Sequence, residues 1–124
     1  MNEYRVYVFE DGTVEWRNIH DNYHRVDGPA ITSPVREEYW VNGLRHRIDG
    51  PAIEWKDGHT EYWVDGRRHR IDGPAVMCGN TNNEYWIDGN CMTEQQFRAK
   101  TTVRELTVAQ ISDILGFTVK IVEE

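Results

Sequence analysis

Residues 46–52 read HRIDGPA, residues 69–75 repeat that string letter for letter, and residues 24–30 carry the near copy HRVDGPA. A second string keeps the same beat, EYWVNG at 38–43, EYWVDG at 61–66 and EYWIDG at 84–89, each 23 residues from the next. A fixed period of this length marks a supersecondary unit stacked on copies of itself. Within each unit, Asn42-Gly43, Asp65-Gly66 and Asp88-Gly89 follow a short aromatic and β-branched run, the strongest short-range signal for a hairpin. Asp11-Gly12 and Asp57-Gly58 break the chain in the same way. Asp27-Gly28-Pro29, Asp49-Gly50-Pro51 and Asp72-Gly73-Pro74 predict a further reversal, with Gly28, Gly50 and Gly73 expected to supply unusual φ and the proline to end ladder donation. Short strands with frequent turns follow, and no helix fits inside a unit.

The two-residue loop fixes a register. If Asp65-Gly66 is the loop, Trp63 faces Arg68, Tyr62 faces His69 and Glu61 faces Arg70; one unit earlier Trp40 faces Arg45, Tyr39 faces His46 and Glu38 faces Arg47. A cation then meets an indole and opposite charges meet in both units. Two accounts of the heptapeptide follow. In the structural one, His24, His46 and His69 pack beside tyrosines such as Tyr39 and Tyr62, Arg47 and Arg70 pair with Glu38 and Glu61, and Asp27, Asp49 and Asp72 belong to turns. In the functional one, the stacked Arg, His and Trp side chains line up as a ladder that grips an anionic or planar ligand, with Trp40, Arg45, Trp63, Arg68, Glu38, Glu61, Arg47 and Arg70 as the candidate binding residues.

The pattern W-x-[ND]-G-x-x-H, clearest at 40–46 and 63–69, resembles the MORN repeat, whose units are stacked β-hairpins. After the histidine it departs, with Arg-Ile-Asp-Gly-Pro in place of the family's Gly-x-Gly. That HRxDGPA variant looks like repeats found in tailed-bacteriophage proteins. The resemblance implies a binding scaffold without catalysis of its own. The fold class expected is mainly β: a single-layer antiparallel β-hairpin array over 1–92, about three 23-residue units, with a small α/β cap over 93–124.

After the third EYW string the repeat stops, and the sequence reads NCMTEQQFRAK. Thr93 with Gln96 forms a capping box, so a short helix from about 94 to 100 is expected to close the open end of the array, and strands from Tyr4 to Trp16 the other. Thr107 with Gln110 suggests a second helix ending at Gly116, flanked by strands over 101–106 and 117–122. That tail, which resembles the endings of other phage repeat proteins, is expected to pack on the array, mediate a homodimer or hold a partner.

Composition bounds the function. The 124 residues carry a net charge of −7, with 39% apolar and 28% charged residues, five Trp and six Tyr. The negative excess disfavours generic binding to nucleic acid or to anionic membranes and suits a basic partner surface. No apolar run spans a bilayer and no secretory signal is apparent, so a cytosolic setting is expected, with Cys78 and Cys91 as free thiols, one or both buried. The histidines lack metal spacing, no phosphate loop or nucleophile elbow is present, and neither cysteine has an evident base in sequence. No cofactor and no enzymatic activity are therefore expected.

The leading functional expectation is a phage-encoded, non-catalytic protein in the host cytoplasm that inhibits a host defence or nucleic-acid enzyme through protein–protein contact. Its carboxylates would stand where phosphates bind, with Glu37, Glu38, Glu54, Asp57, Glu61, Glu84 and the Glu123-Glu124 tail as candidates. The alternatives are a protein that sequesters a nucleotide signal on Trp40, Trp63, Arg45 and Arg68, and a structural or assembly scaffold.

Overall fold

The computed structural model describes residues 3–79, 81–102, 108–110 and 116. In chain order the elements are β1 (Arg5–Val8), β2 (Val14–Arg17), β3 (Ile31–Thr32), β4 (Arg36–Glu38), β5 (Trp40–Val41) and β6 (Leu44–Arg45). They continue with β7 (Ile53–Trp55), β8 (Thr60–Glu61), β9 (Trp63–Val64), β10 (Arg67–Arg68), β11 (Val76–Cys78), β12 (Thr81–Ile87), β13 (Asn90–Met92) and the helix α1 (Glu94–Thr101). Among the described residues, nine strands form one open antiparallel meander in the order β1-β2-β3-β4-β7-β8-β11-β12-β13. The protein is thus mainly β, an array of hairpins with a small helix after it.

Each unit contributes two kinds of turn, and the backbone shows why. Asn42 and Gly43 have φ of +48° and +80°, and Asp65 and Gly66 have +49° and +78°. Two successive left-handed residues make the type I′ turn, which only Asn, Asp and Gly adopt readily. The resulting two-stranded ladders pair Trp40 with Arg45 and Trp63 with Arg68, as the sequence predicts. At Asp57-Gly58, by contrast, the glycine alone is left-handed, at +96°, and the aspartate side chain accepts the His59 amide at 3.0 Å.

The small hairpins β5–β6 and β9–β10 are separate from the nine-stranded sheet but not from one another. At every junction two backbone bonds run between neighbouring units. Gly43 N–H donates to the Tyr23 carbonyl and Gly66 N–H to that of Arg45, while Arg25 N–H donates to Trp40 and Arg47 N–H to Trp63, all at 2.8–3.0 Å. The EYW string is where the chain passes from one row to the other: Glu38 and Glu61 end strands of the main sheet, and Trp40 and Trp63 begin the hairpins. Between the rows sits the core. Ala30, Ala52 and Ala75, the last letter of each heptapeptide, are wholly inaccessible, and Ile31, Ile53 and Val76 beside them are buried. Alanine fits there because backbone comes close: Tyr39 and Tyr62 donate to the Ala52 and Ala75 carbonyls at 2.7 Å.

At the C-terminal side of the array, Thr93 caps α1 in both directions of the capping box, and Phe97 is buried against the Tyr85 ring with centroids 4.8 Å apart. The helix runs one residue further than expected, through Thr101, whose hydroxyl donates to the Phe97 carbonyl; a strand beginning at 101 is thereby corrected. Residues 108–110 are helical and Gly116 has φ of +75°, in keeping with the expected second helix and its C-cap. The rest of that helix and the flanking strands lie outside the described residues, apart from Thr102, the extended C-cap of α1.

Candidate functional site

The Trp/Arg ladder exists, and its side chains are already engaged. Arg45 sits 5.0 Å from the Trp40 ring and 5.2 Å from that of Trp63; Arg68 sits 5.2 Å from Trp63 and 5.1 Å from Trp86. Cation and indole alternate along the array, each contact supplying attraction between a guanidinium and the negative face of a ring. Beneath the row lie the buried carboxylates. Trp40 Nε1 and Arg45 donate to Glu38, which also receives Arg36 Nε at 2.8 Å. Trp63 Nε1 and Arg68 donate to Glu61 at 3.1 and 3.2 Å. Burial alone pushes the Glu61 carboxyl up, but the hydrogen bonds from His59, Trp63 and Arg68 outweigh it and hold the group below the usual carboxylate range.

The expected pairing of Arg47 with Glu38 and Arg70 with Glu61 is corrected. The hairpin ladder ends where His69 N–H meets the Tyr62 carbonyl, and the next residue turns to the neighbouring unit, Arg70 N–H donating to the Trp86 carbonyl. Released from the ladder, Arg47 lies over the Tyr39 ring at 3.9 Å, and its guanidinium donates to Asp49, the Pro51 carbonyl and Glu54. Arg70 repeats this over Tyr62 with Asp72 and the Pro74 carbonyl, and Arg25 lies over Trp16 with Asp27 and the Pro29 carbonyl. The role of the glycines is corrected with it. Gly28, Gly50 and Gly73 are absent from the left-handed region; instead a Cβ on them would meet the arginine Cζ at 2.9–3.0 Å. The heptapeptide is a loop wrapped around its own arginine, held between an aromatic ring and a bare backbone.

The histidines do more than neighbour the tyrosines. His24, His46 and His69 each accept, at Nδ1, the backbone N–H of Asn42, Asp65 and Asp88 in the following unit, at 2.9–3.1 Å. This fixes the Nε2–H tautomer and staples each unit to the next turn.

What sequence reasoning missed is the outer surface. Val26, Ile48 and Ile71, the variable letter of each heptapeptide, are 58%, 76% and 63% exposed. The side chains of Asp27, Asp49 and Asp72 beside them are also largely exposed. Successive loops flank two equivalent clefts of about 540 and 620 Å³, with Tyr39 and His46 lining the first and Tyr62 and His69 the second. An apolar letter in a short strand-rich unit reads as core, so only its repetition at one position beside Asp could have signalled a surface. The cysteines are corrected too. Both are free, but neither is buried, and Cys78 has a base: His59 Nδ1 lies 2.6 Å from its sulfur.

Among the described residues, no three His, Cys, Asp or Glu are placed to hold a metal ion, and no helix is long and apolar enough to cross a membrane. Comparison with known proteins finds no matching family model, no matching curated protein and no matching solved structure.

Proposed function

We propose that the protein is a non-catalytic binding module that recognises another protein through the ridges at Val26-Asp27, Ile48-Asp49 and Ile71-Asp72. The observation that carries this reading is the exposure of an aliphatic side chain at the same position of all three loops. Burying such groups against a partner is favourable by about 25 cal/mol per Å² of apolar surface, and their recurrence at one position of each loop makes a regular row rather than single scattered exposures. The adjacent carboxylates and the net charge of −7 suit a partner with apolar pockets flanked by Lys or Arg.

Within that reading, the proposal extends to a phage-encoded inhibitor acting on a host enzyme, whose nucleic-acid groove offers such cations. A nucleotide-sequestering role draws less support, because Arg45 and Arg68 both lie over Trp63 where a base would stack. The test is affinity capture from host lysate with the wild-type chain and with the Ile48→Asp/Ile71→Asp variant in parallel. A partner identified by mass spectrometry that is retained by the first and lost by the second supports the proposal. Equal recovery on both, or open-ended assembly of the chain alone on size exclusion, overturns it.

A further inference from the structure

The units are not chemically identical in the main sheet, and one difference bears on a buried carboxylate. Two residues before each buried glutamate, the first full unit has Arg36 and the second has His59. Both serve the carboxylate: Arg36 Nε donates to Glu38 at 2.8 Å, and His59 Nε2 lies 3.2 Å from Glu61 Oε2. An imidazole, unlike a guanidinium, has a second nitrogen free to accept. Strand β11 pairs with β8 so that Val76 opposes Glu61 and Met77 opposes Thr60, which carries Cys78 level with His59. Its sulfur stands 2.6 Å from Nδ1.

The proton assignment follows from the partners. Glu61 also accepts from Trp63 and Arg68, so it is an ionised acceptor and Nε2 must carry the hydrogen. Nδ1 is then the acceptor and the Cys78 thiol donates to it. The ring is held in place by Trp55, edge-on with centroids 4.4 Å apart, and by the His59 amide bond to Asp57. Because Cys78 and Glu61 address opposite ring nitrogens, the three groups form a relay and do not converge on one ion. A nucleophile, a base and a group that orients the base are the parts of an assisted thiol.

We infer that Cys78 is a histidine-assisted thiol that undergoes exchange with small disulfides. As the sulfur attacks one sulfur of the disulfide, its proton passes to His59 Nδ1 and the disulfide bond breaks. Cys78 is oxidised to a mixed disulfide, and the departing thiolate takes the proton from Nδ1 to leave as a thiol. Glu61 stabilises the imidazolium between the two transfers. Cys91, exposed and on β13, is the internal standard.

The test is reaction of the full chain with dithiobis(nitrobenzoate), followed by peptide mapping of both cysteines in the same sample. Cys78 is expected to react at least about tenfold faster than Cys91 although it is the less exposed of the two. His59→Gln is expected to bring Cys78 down to the rate of Cys91 or below, while Cys91→Ser leaves the fast phase intact. A wild-type Cys78 that reacts more slowly than Cys91 overturns the inference without any variant needing to fold. So does a folded His59→Gln protein in which Cys78 reacts as before.

Discussion

Two rows of side chains repeat with the same period and mean different things. The inner row, Trp40-Arg45-Trp63-Arg68-Trp86 over Glu38 and Glu61, joins each charge to an opposite charge or a ring, and its carboxylates are buried. The outer row, Val26-Asp27, Ile48-Asp49 and Ile71-Asp72, turns equally regular side chains toward solvent. Repetition alone identifies scaffold in both. Exposure of apolar atoms separates the row left open to solvent from the one the fold has used.

The contrast is broken most severely from inside. Glu61→Ala leaves Trp63 Nε1, Arg68 and His59 facing a partly buried void and is expected to cost about 3–5 kcal/mol in thermal unfolding. A loss below ~1 kcal/mol would mean that the inner row is as dispensable as a surface ion pair. Gly50→Ala drives a Cβ against Arg47, which is held by Tyr39, Asp49 and the Pro51 carbonyl; displacing that guanidinium is expected to cost about 1–2 kcal/mol.

Acid sharpens the same point. Because the folded Glu61 carboxyl sits below its unfolded value, its contribution is complete above the ordinary carboxylate range and drains away as pH falls through the folded value. The melting temperature should therefore fall between about pH 5 and pH 3, and more shallowly in Glu61→Gln. His46→Ala removes the acceptor for the Asp65 amide, a half-exposed bond worth about 1 kcal/mol. At the outer row, Ile48→Asp with Ile71→Asp is expected to leave stability within about 0.5 kcal/mol while abolishing partner capture.

The hairpins were legible because Asn-Gly and Asp-Gly pairs dictate their own turn, and the turn dictates the register of Trp40 with Arg45. The capping box at Thr93 was legible for the same local reason. Arg47 was not, because its partners depend on where the chain goes after the ladder ends, and the Asp-Gly-Pro loop bends back over the guanidinium from the far side. The exposure of Ile48 and Ile71 was not legible either, because a β-branched letter carries no mark of which side it faces once the strand has ended. The Cys78–His59 pair lies 19 residues apart across two strands, and only sheet register brings it together.

The two backbone bonds at each junction, Gly66 to Arg45 and Arg47 to Trp63, involve no atom peculiar to either end of the chain. Length is therefore a free variable of this architecture. Duplicating residues 46–68 in tandem would insert one more loop and one more cleft while leaving the terminal strands and the capping helix their present neighbours. The number of exposed loops is thus set by the count of units and not by the design of any one of them.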